Sequence, residues 1–299
     1  EIIVIDSMSS DDTKKLALNL KVKFINFDWN GKYPKKRQWS LDNVKYKNDW
    51  IMAVAQPYEH QISFYSSPNL ITWKHLSNFG PAAAQGGVWE CPDLFPLTLN
   101  NEEVWVLIVS LNPGGLYGSG TQYFIGDFDG TTFVPRYSTA EPRWLDYGKD
   151  NYAGVTFNDA PNSRRIFIGW MNNWDYAKDF PTSPWRGSMT LPRELTLNLD
   201  EGKLYLCANP VAEFRNYVGE KISAGEGAEL LEIKASISTS EGASTKIRVA
   251  GDDGKFFEFG YDAQSNSLFI DRTSAWNEIP SSHIHSTPVS KDLKTFEIS

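Results

Sequence analysis

The chain has 299 residues, which is long for one ordinary domain and sufficient for two. Apolar residues make up 41% of it, enough for a packed core, so a disordered chain is excluded. The net charge of −8 argues against binding to nucleic acid or to an anionic membrane surface. No apolar run approaches the ~20 residues of a membrane span, and the first residues do not have the layout of a secretion signal.

The charge is unevenly distributed along the chain. Residues 1–50 carry ten basic and seven acidic side chains, whereas residues 51–299 carry nineteen and thirty. Two cysteines, Cys91 and Cys207, are too few for a disulfide framework. Only His283 and His285 are spaced as metal ligands could be, and we predict that both are exposed loop residues before a proline. We therefore expect no metal and no cofactor.

The first part of the chain after residue 44 is typical of an all-β domain. Residues 12–23 are compatible with a short amphipathic helix or with a basic strand, and the sequence leaves both open. Beyond them, short apolar or alternating runs recur between turn residues, and their close spacing predicts either a sandwich or a propeller. These runs are WIMAVA (50–55), QISFYSS (61–67), EVWVLIVSL (103–111), TQYFIGDF (121–128), RIFIGWM (165–171) and MTLPRELTLN (189–198).

The amino-acid composition changes around residues 200–220, where tryptophan becomes rare. From residue 230 onward the segments alternate apolar and polar residues, which predicts half-buried antiparallel strands, most simply in a sandwich. We predict three parts: an atypical segment over 1–44, a first β domain over 45–212 and a second over 213–299. Aromatic residues make up 14% of the chain, which fits either an aromatic-rich core or a surface that stacks on sugars.

One acidic residue lies in an unusual setting. Glu90 sits between Trp89 and Cys91, just after a pair of glycines and just before a proline. A carboxyl group among apolar neighbours resists losing its proton, which is what a general acid needs at neutral pH. From these residues alone, the favoured interpretation is an ordinary carboxylate at a strand edge beside a bulge.

The segment around Glu90 resembles the E-C-P block of glycoside hydrolase family 32, the β-fructosidases. Further blocks follow in the family's order, and the details are most similar to the levanase and exo-inulinase branch. They are WECPDLF (89–95), LNPGGLYGSGTQYFIGDFDGTTF (111–133), WLDYGKDNYAG (144–154), RRIFIGWMNNWDYAKDFPTSPWRGSMTLPREL (164–195) and LFIDRT (268–273). The resemblance implies an all-β fold, a five-bladed β-propeller followed by a β-sandwich, of which we expect only a part of each.

The resemblance also implies roles for individual residues. Glu90 matches the acid/base, which protonates the leaving-group oxygen and then deprotonates water. Trp174 matches a wall of the pocket that holds the terminal fructose, with simple core packing as the alternative. Three further residues are expected to bind substrate or to shape the pocket; they are Trp89, Tyr152 and Asn173.

Three more residues receive supporting interpretations. Cys91 is expected to shape the surroundings of Glu90, and Asp150 to support the site without touching the substrate. For Trp185, next to Arg186, we favour a packing role at the end of a strand.

Two motifs of the family do not occur in these residues. The W-M-N-D-P-N-G block that carries the nucleophilic aspartate is absent, and Asp28 in FDWNG lies only 62 residues before Glu90, so we reject it as the nucleophile. The R-D-P motif has no clear equivalent either. Arg37 and Gln38 are a possible remnant of it, with Gln38 in place of the acid, and Asp42 is a poorer match.

These absences predict a truncated or rearranged chain that also stops within the sandwich. Residues 1–210 suffice for about three blades of ~50–60 residues each. An open propeller leaves strand edges bare, so we predict poor solubility for the chain alone.

The leading functional interpretation is retaining hydrolysis of terminal β-D-fructofuranosides in sucrose, inulin or levan. A non-catalytic carbohydrate-binding protein and an inactive fragment are the alternatives, because no nucleophile is identified. The expected partner is therefore sucrose or a fructan, and the family implies an extracellular or periplasmic location.

Overall fold

The computed structural model describes residues 3–28, 30–32, 49–179, 181–185, 187–223, 225–228, 231–238, 242–275, 283–289 and 295–298. Arg37 and Gln38, like Asp42 and Arg186, lie outside these residues. The chain divides into two compact units. One comprises the described residues among 1–54, 62–79 and 129–132, and the other those among 55–61, 80–128 and 133–299. Nearly all regular elements are strands, and no helix among the described residues is long and apolar enough to cross a membrane.

The N-terminal segment forms a small parallel unit. Strand β1 (Ile3–Asp6) is followed by helix α1 (Thr13–Asn19) and strand β2 (Lys23–Asn26), which pairs with β1 in parallel. The stretch left open by the sequence is therefore a helix that continues into a strand. Every other strand pair for which the structure gives a register is antiparallel, so this segment differs in topology from the rest of the described chain.

The next sheet has three strands joined in sequence order. They are β3 (Trp50–Gln56), β4 (Gln61–Ser67) and β5 (Lys74–Phe79). Ile62 and Phe64 in β4 are completely buried. The sheet matches the predicted strands WIMAVA and QISFYSS.

A four-stranded antiparallel sheet follows, with strands β6 (Val88–Leu99), β7 (Glu102–Gly115), β8 (Gly118–Phe128) and β9 (Phe133–Pro135). Residues 106–111 of β7 are buried without interruption. Continuous burial means that both faces of this sheet are covered, because successive side chains of a strand point to opposite faces. The continuous apolar run EVWVLIVSL is the sequence signal for this environment.

The third sheet of this series packs against the second. It contains β10 (Tyr152–Thr156), β11 (Ile166–Met171), β12 (Ser188–Met189), β13 (Arg193–Asp200) and β14 (Lys203–Pro210). One hydrophobic core joins the two sheets, formed by Phe95, Leu97, Val104, Val106, Ile108, Tyr123, Ile125, Leu145, Phe167, Leu195, Leu197 and Leu204. In this core Gly154 is required, because a Cβ at that position would lie 2.1 Å from the Phe167 ring.

The C-terminal part forms two further sheets. Strands β15 (Ala235–Ser238) and β20 (Thr295–Ile298) pair with each other. Strands β16 (Thr245–Ala250), β17 (Phe256–Asp262), β18 (Ser267–Asp271) and β19 (Ile284–Pro288) form an antiparallel sheet in sequence order. Exposed and half-buried residues alternate along β16, as the alternating sequence predicts. The boundaries proposed at residues 44 and 212 stay predictions.

The two histidines are not the exposed loop residues that were predicted, although His283 does lie in a loop just before β19. His285 lies inside β19 and is only 3% exposed, and His283 is half-buried. The ring of His285 packs edge-on against Tyr117, with 4.5 Å between the ring centroids. His285 therefore places its ring in the interior from within a strand, whereas His283 precedes that strand.

Candidate active site

Glu90 lies on β6 at a β-bulge. Glu90 pairs with Ser110 of β7, but the next paired residue of β6 is Asp93, opposite Ile108. Cys91 and Pro92 therefore occupy the space of one residue, and Cys91 adopts a left-handed conformation with φ of 46°. Such bulges bend a strand and redirect its side chains, and they are frequent near active sites.

The bulge sets which face of the sheet Glu90 occupies. The partners of Glu90, Asp93 and Phe95 on β7 are Ser110, Ile108 and Val106, every second residue of that strand. Because alternate residues of a strand share one face, Glu90 and Asp93 lie on the same face as the core residue Phe95. They consequently point toward the neighbouring sheet.

Strand β10 of that neighbouring sheet receives both carboxylates. The hydroxyl of Tyr152 donates a hydrogen bond to Glu90 Oε2, and Thr156 donates to Asp93 Oδ2 through its backbone N (2.8 Å) and its Oγ1 (2.6 Å). Tyr152 is only 2% exposed. Burial, and then the hydrogen bond to Glu90, raise the pKa of Tyr152 well above its ordinary value, so this tyrosine stays protonated and keeps donating.

Trp89 forms the inner support of the site on the opposite face of β6. It is completely buried, and its Nε1 donates to the carbonyl oxygen of Ala84 at 2.9 Å. The buried amide of Gln122 holds Ala84 through a bond from Ala84 N (3.0 Å) and another to Ala84 O (3.2 Å). In this structure the Trp89 ring is packed inside the protein, and its direct contact with a substrate stays a prediction.

Trp174 lies in the turn that follows β11. Its side chain is 48% exposed, and its ring lies 5.0 Å from that of Trp170, which pairs with Tyr152 across the sheet. Glu90, Tyr152, Trp170 and Trp174 thus follow one another as neighbours. An exposed indole at the end of this series is able to stack on a sugar ring.

Asn173 holds the start of this turn. It is completely buried, and its Nδ2 donates to the carbonyl oxygens of Lys149 (2.8 Å) and Tyr117 (3.1 Å). Its Oδ1 accepts from the backbone N of Asp175 (3.0 Å) and of Ser119 (3.2 Å). All of these bonds fix backbone, so the role of Asn173 in substrate binding stays a prediction.

Asp150 accepts two hydrogen bonds from residues distant in sequence. The hydroxyl of Tyr176 donates to Asp150 Oδ1, and Arg272 Nη1 donates to Asp150 Oδ2 at 2.9 Å. The expectation that Asp150 supports the site is compatible with these contacts. Sequence reasoning missed Tyr176 and Arg272 as partners, although both lie inside the quoted blocks NNWDYAKDF and LFIDRT.

Three candidate residues remain, namely Cys91, Asp28 and Trp185. Cys91 is half-buried beside Glu90, and burial, followed by the charge of Glu90, raises the pKa of its thiol. Asp28 follows β2 and is exposed. Trp185 is 72% exposed, so the expectation that it packs at a strand end was wrong.

Comparison with known families identifies the family to which this chain belongs. The family model of the "Glycosyl hydrolases family 32 N-terminal domain" matches residues 42–208, more than half of the chain. The chain belongs to glycosyl hydrolase family 32. The match includes β6, β10 and the Trp174 turn, so the site described above lies entirely within the matched region, apart from Arg272.

Family 32 relatives extend the similarity. A levanase of Bacillus subtilis is 38% identical over 252 residues, which is 77% of this chain and 37% of the levanase. An extracellular exo-inulinase of Aspergillus niger is 37% identical over 253 residues, 76% of this chain and 47% of the relative. The chain therefore spans less than half the length of these two relatives.

Solved family 32 structures have the same fold. The crystal structure of an exo-inulinase from Aspergillus awamori matches with a TM-score of 0.68 and 30% identity, over 88% of this chain and 58% of that one. A β-fructofuranosidase from Schwanniomyces occidentalis matches with a TM-score of 0.63 and 28% identity, over 84% and 56%. The predicted all-β, propeller-like fold and the family resemblance are confirmed, whereas the number of five blades stays a prediction.

Proposed function

We propose that the protein is a glycoside hydrolase that releases terminal β-D-fructofuranosyl units from sucrose, inulin or levan with retention of configuration. The observation that carries the proposal is the hydrogen bond from buried Tyr152 to Glu90, on a bulge that turns the carboxylate toward the neighbouring sheet. The names of the relatives, levanase and exo-inulinase, support the substrate class.

In this proposal Glu90 first protonates the leaving-group oxygen and later accepts a proton from water. Tyr152 holds the carboxylate in one orientation through both steps, because its own hydroxyl stays protonated. Trp174 stacks on the fructosyl ring, while Trp89 and Asn173 keep the strand and the turn in place behind it. The bulge at Cys91 and Pro92 keeps Glu90 turned toward Tyr152.

A retaining mechanism also needs a carboxylate nucleophile ~5–5.5 Å from the acid/base. The W-M-N-D-P-N-G block is not among the 299 residues, and Asp28 does not fit the family's spacing. We therefore expect negligible fructose release from these 299 residues alone, since loss of one member of a catalytic pair typically costs many orders of magnitude.

The decisive experiment places residues 45–299 in the matching part of the Bacillus subtilis levanase, which retains the N-terminal part of the relative. We expect this chimera to release fructose from levan, measured as reducing sugar. Glu90→Gln should lower the rate by about 10²–10⁴-fold because it removes the proton donor. The matched control is Glu103→Gln, at an exposed glutamate of β7.

Equal rates for the two variants of a folded chimera would contradict the role of Glu90. Release of fructose by the 299 residues alone, abolished by Glu90→Gln, would instead show that a nucleophile is present among them.

A second candidate function is binding of fructans without turnover, favoured by the exposed indole of Trp174 and the absent nucleophile block. In this case the chain alone binds levan at millimolar or lower concentration, measured by calorimetry. Trp174→Ala should abolish binding, whereas Trp185→Ala, at a more exposed tryptophan, should not. Absence of any binding to levan, inulin or sucrose would exclude this function.

A relative carries the word extracellular in its name. We therefore propose an extracellular or periplasmic location. Secretion of the protein into the medium or periplasm, measured with an antibody, is the expected result, and retention in the cytoplasm would contradict it.

A further inference from the structure

The turn that carries Trp174 is bonded to the C-terminal sheet at two places. At the first, Arg272, directly after β18, donates to Asp150 at 2.9 Å, and Asp150 accepts the hydroxyl of Tyr176 from the other side. Tyr176 is two residues after Trp174 in the same turn and is 6% exposed. A connection of three side chains therefore runs from the C-terminal sheet to the turn.

The second place is Tyr117. Its hydroxyl accepts from the backbone N of Ser286 (3.0 Å) and donates to the carbonyl oxygen of Ser286 (3.3 Å) in β19. Its own carbonyl oxygen accepts from Lys149 Nζ (3.0 Å) and Asn173 Nδ2 (3.1 Å). Both connections thus end on the segment 173–176.

The Arg272 connection is electrostatically well suited to hold the turn. The side chains of Arg272 and Asp150 are 30% and 18% exposed, so water screens their attraction only in part. Hydrogen bonds between ionised partners are roughly twice as strong as neutral ones. Burial, and then the bond to Asp150, raise the pKa of Tyr176 well above its ordinary value, so its hydroxyl continues to donate.

Removal of Arg272 leaves the Asp150 carboxylate mostly buried without its cation. A partly buried carboxylate without a cation recruits water or moves toward solvent, because its desolvation is no longer compensated. Tyr176 is bonded to the same carboxylate and would move with it, and Trp174 precedes Tyr176 by two residues.

We propose that Arg272 is a positioning residue, which holds the orientation of Trp174 through Asp150 and Tyr176. The C-terminal sheet would then take part in building the sugar pocket by an ion pair rather than by touching the sugar. The consequence for sugar binding rests on the proposed function of Trp174, whereas the coupling itself does not.

The test is fluorine NMR on the 299-residue chain labelled with 5-fluorotryptophan, which reports on each of the eleven tryptophans. Trp174→Phe assigns the Trp174 signal. We expect Arg272→Gln to shift or broaden this signal, and Arg272→Lys to leave it closer to the wild-type position because the charge is kept. The matched control is Arg248→Gln, which removes an ion pair to Glu258 in the same sheet and has no bond to Asp150.

Tyr176→Phe removes only the hydroxyl and provides a second variant in case Arg272→Gln does not fold. It should change the Trp174 signal in the same direction. An unchanged Trp174 signal in a folded Arg272→Gln or Tyr176→Phe protein overturns the proposal, as does an equal change in Arg248→Gln. None of these readouts depends on catalysis. A chimera whose activity does not depend on Glu90 would therefore refute the proposed function without affecting this coupling.

Discussion

The sheet of β6 to β9 and the sheet of β16 to β19 are both four-stranded and antiparallel, but they are buried differently. Residues 106–111 of β7 and 121–126 of β8 are buried in succession, so both faces of the first sheet are covered. In the second sheet β16 has no fully buried residue, and the core around Ile237 and Tyr261 is separate and small.

The difference shows how the two sheets contribute to the site. The first sheet holds Glu90 by dense packing on two faces, which tolerates little displacement. The second reaches the site through a few polar bonds, those of Arg272 and of Ser286. Apolar packing should therefore dominate stability around the sheet of β6 to β9. Individual ionisable groups should have a measurable influence on stability in the sheet of β16 to β19.

The largest expected effect is in the core shared by the first sheet and the sheet of β10 to β14. Phe167→Ala, at a completely buried position of the shared core, should lower the free energy of unfolding by about 3–5 kcal/mol through cavity formation. Phe257→Ala, at a half-buried position of β17, should lower it by about 1–2 kcal/mol, since less area leaves water. Urea unfolding measures both, and equal losses would contradict the comparison.

The second effect concerns pH and the C-terminal sheet. Burial, followed by the charges of Arg272 and Lys149, lowers the pKa of His285 to about 4, while Asp150 opposes this and His283 adds to it. The neutral form is favoured in the folded state, whereas the unfolded chain takes up a proton near pH 6.5. The contribution of His285 to the free energy of unfolding, about 3 kcal/mol in total, is therefore lost as the pH falls from about 6.5 to about 4.

This pH dependence is measured by urea unfolding at several pH values. His285→Phe removes the titrating group and should flatten the slope in that range relative to the wild type. A slope that the substitution does not change would show that carboxylates alone are responsible.

A third, smaller effect tests the support behind Glu90. Gln122→Leu leaves the backbone N of Ala84 without the Gln122 acceptor and its carbonyl oxygen with Trp89 Nε1 alone, and should cost about 2 kcal/mol. The matched control is Asn78→Leu, at a polar residue of β5 whose side chain bonds an exposed histidine, His75. Equal unfolding midpoints for these two variants would mean that the Gln122 amide contributes no more to stability than an exposed polar side chain does.

The smallest effect is expected at the surface of the C-terminal sheet. Lys246 and Arg248 both pair with Glu258, and their side chains are more than half exposed. Lys246→Ala should leave the midpoint of urea unfolding nearly unchanged, because exposed ion pairs are screened and Glu258 keeps Arg248. A clear loss of stability would mean that single charges matter on this face as well.

Much of this arrangement was predictable from the sequence. The run EVWVLIVSL predicts a strand, and the alternation in TKIRVAG predicts a half-buried strand, as observed. Glu90 was identified by its neighbours together with the family blocks. The strand inferences use local composition and periodicity, whereas the interpretation of Glu90 rests on the resemblance to family blocks spread over residues 89–273.

The rest depends on contacts between residues far apart in the chain. Arg272 and Asp150 are separated by 122 residues and Tyr152 and Glu90 by 62, and no periodicity reports such pairs. His285 was misjudged for the same reason, since its ring packs against Tyr117, which lies between β7 and β8 far upstream in the chain. The exposure of Trp174 and the bonds by which Asn173 holds its turn are likewise visible only in the folded chain.

The bulge at Cys91 and Pro92 makes the face that Glu90 occupies depend on a local backbone conformation as well as on residue identity. If β6 kept its length and its pairing from Asp93 onward but lost the bulge, Cys91 would lie opposite Ser110, and Glu90 would lie opposite Leu111 on the face where Trp89 now lies. Deletion of one of the two bulged residues, by contrast, would leave Glu90 opposite Ser110 on its present face. A replacement at positions 91–92 in an engineered variant of this chain is therefore judged first by whether the strand keeps the left-handed conformation at position 91, and only then by how the new side chain packs.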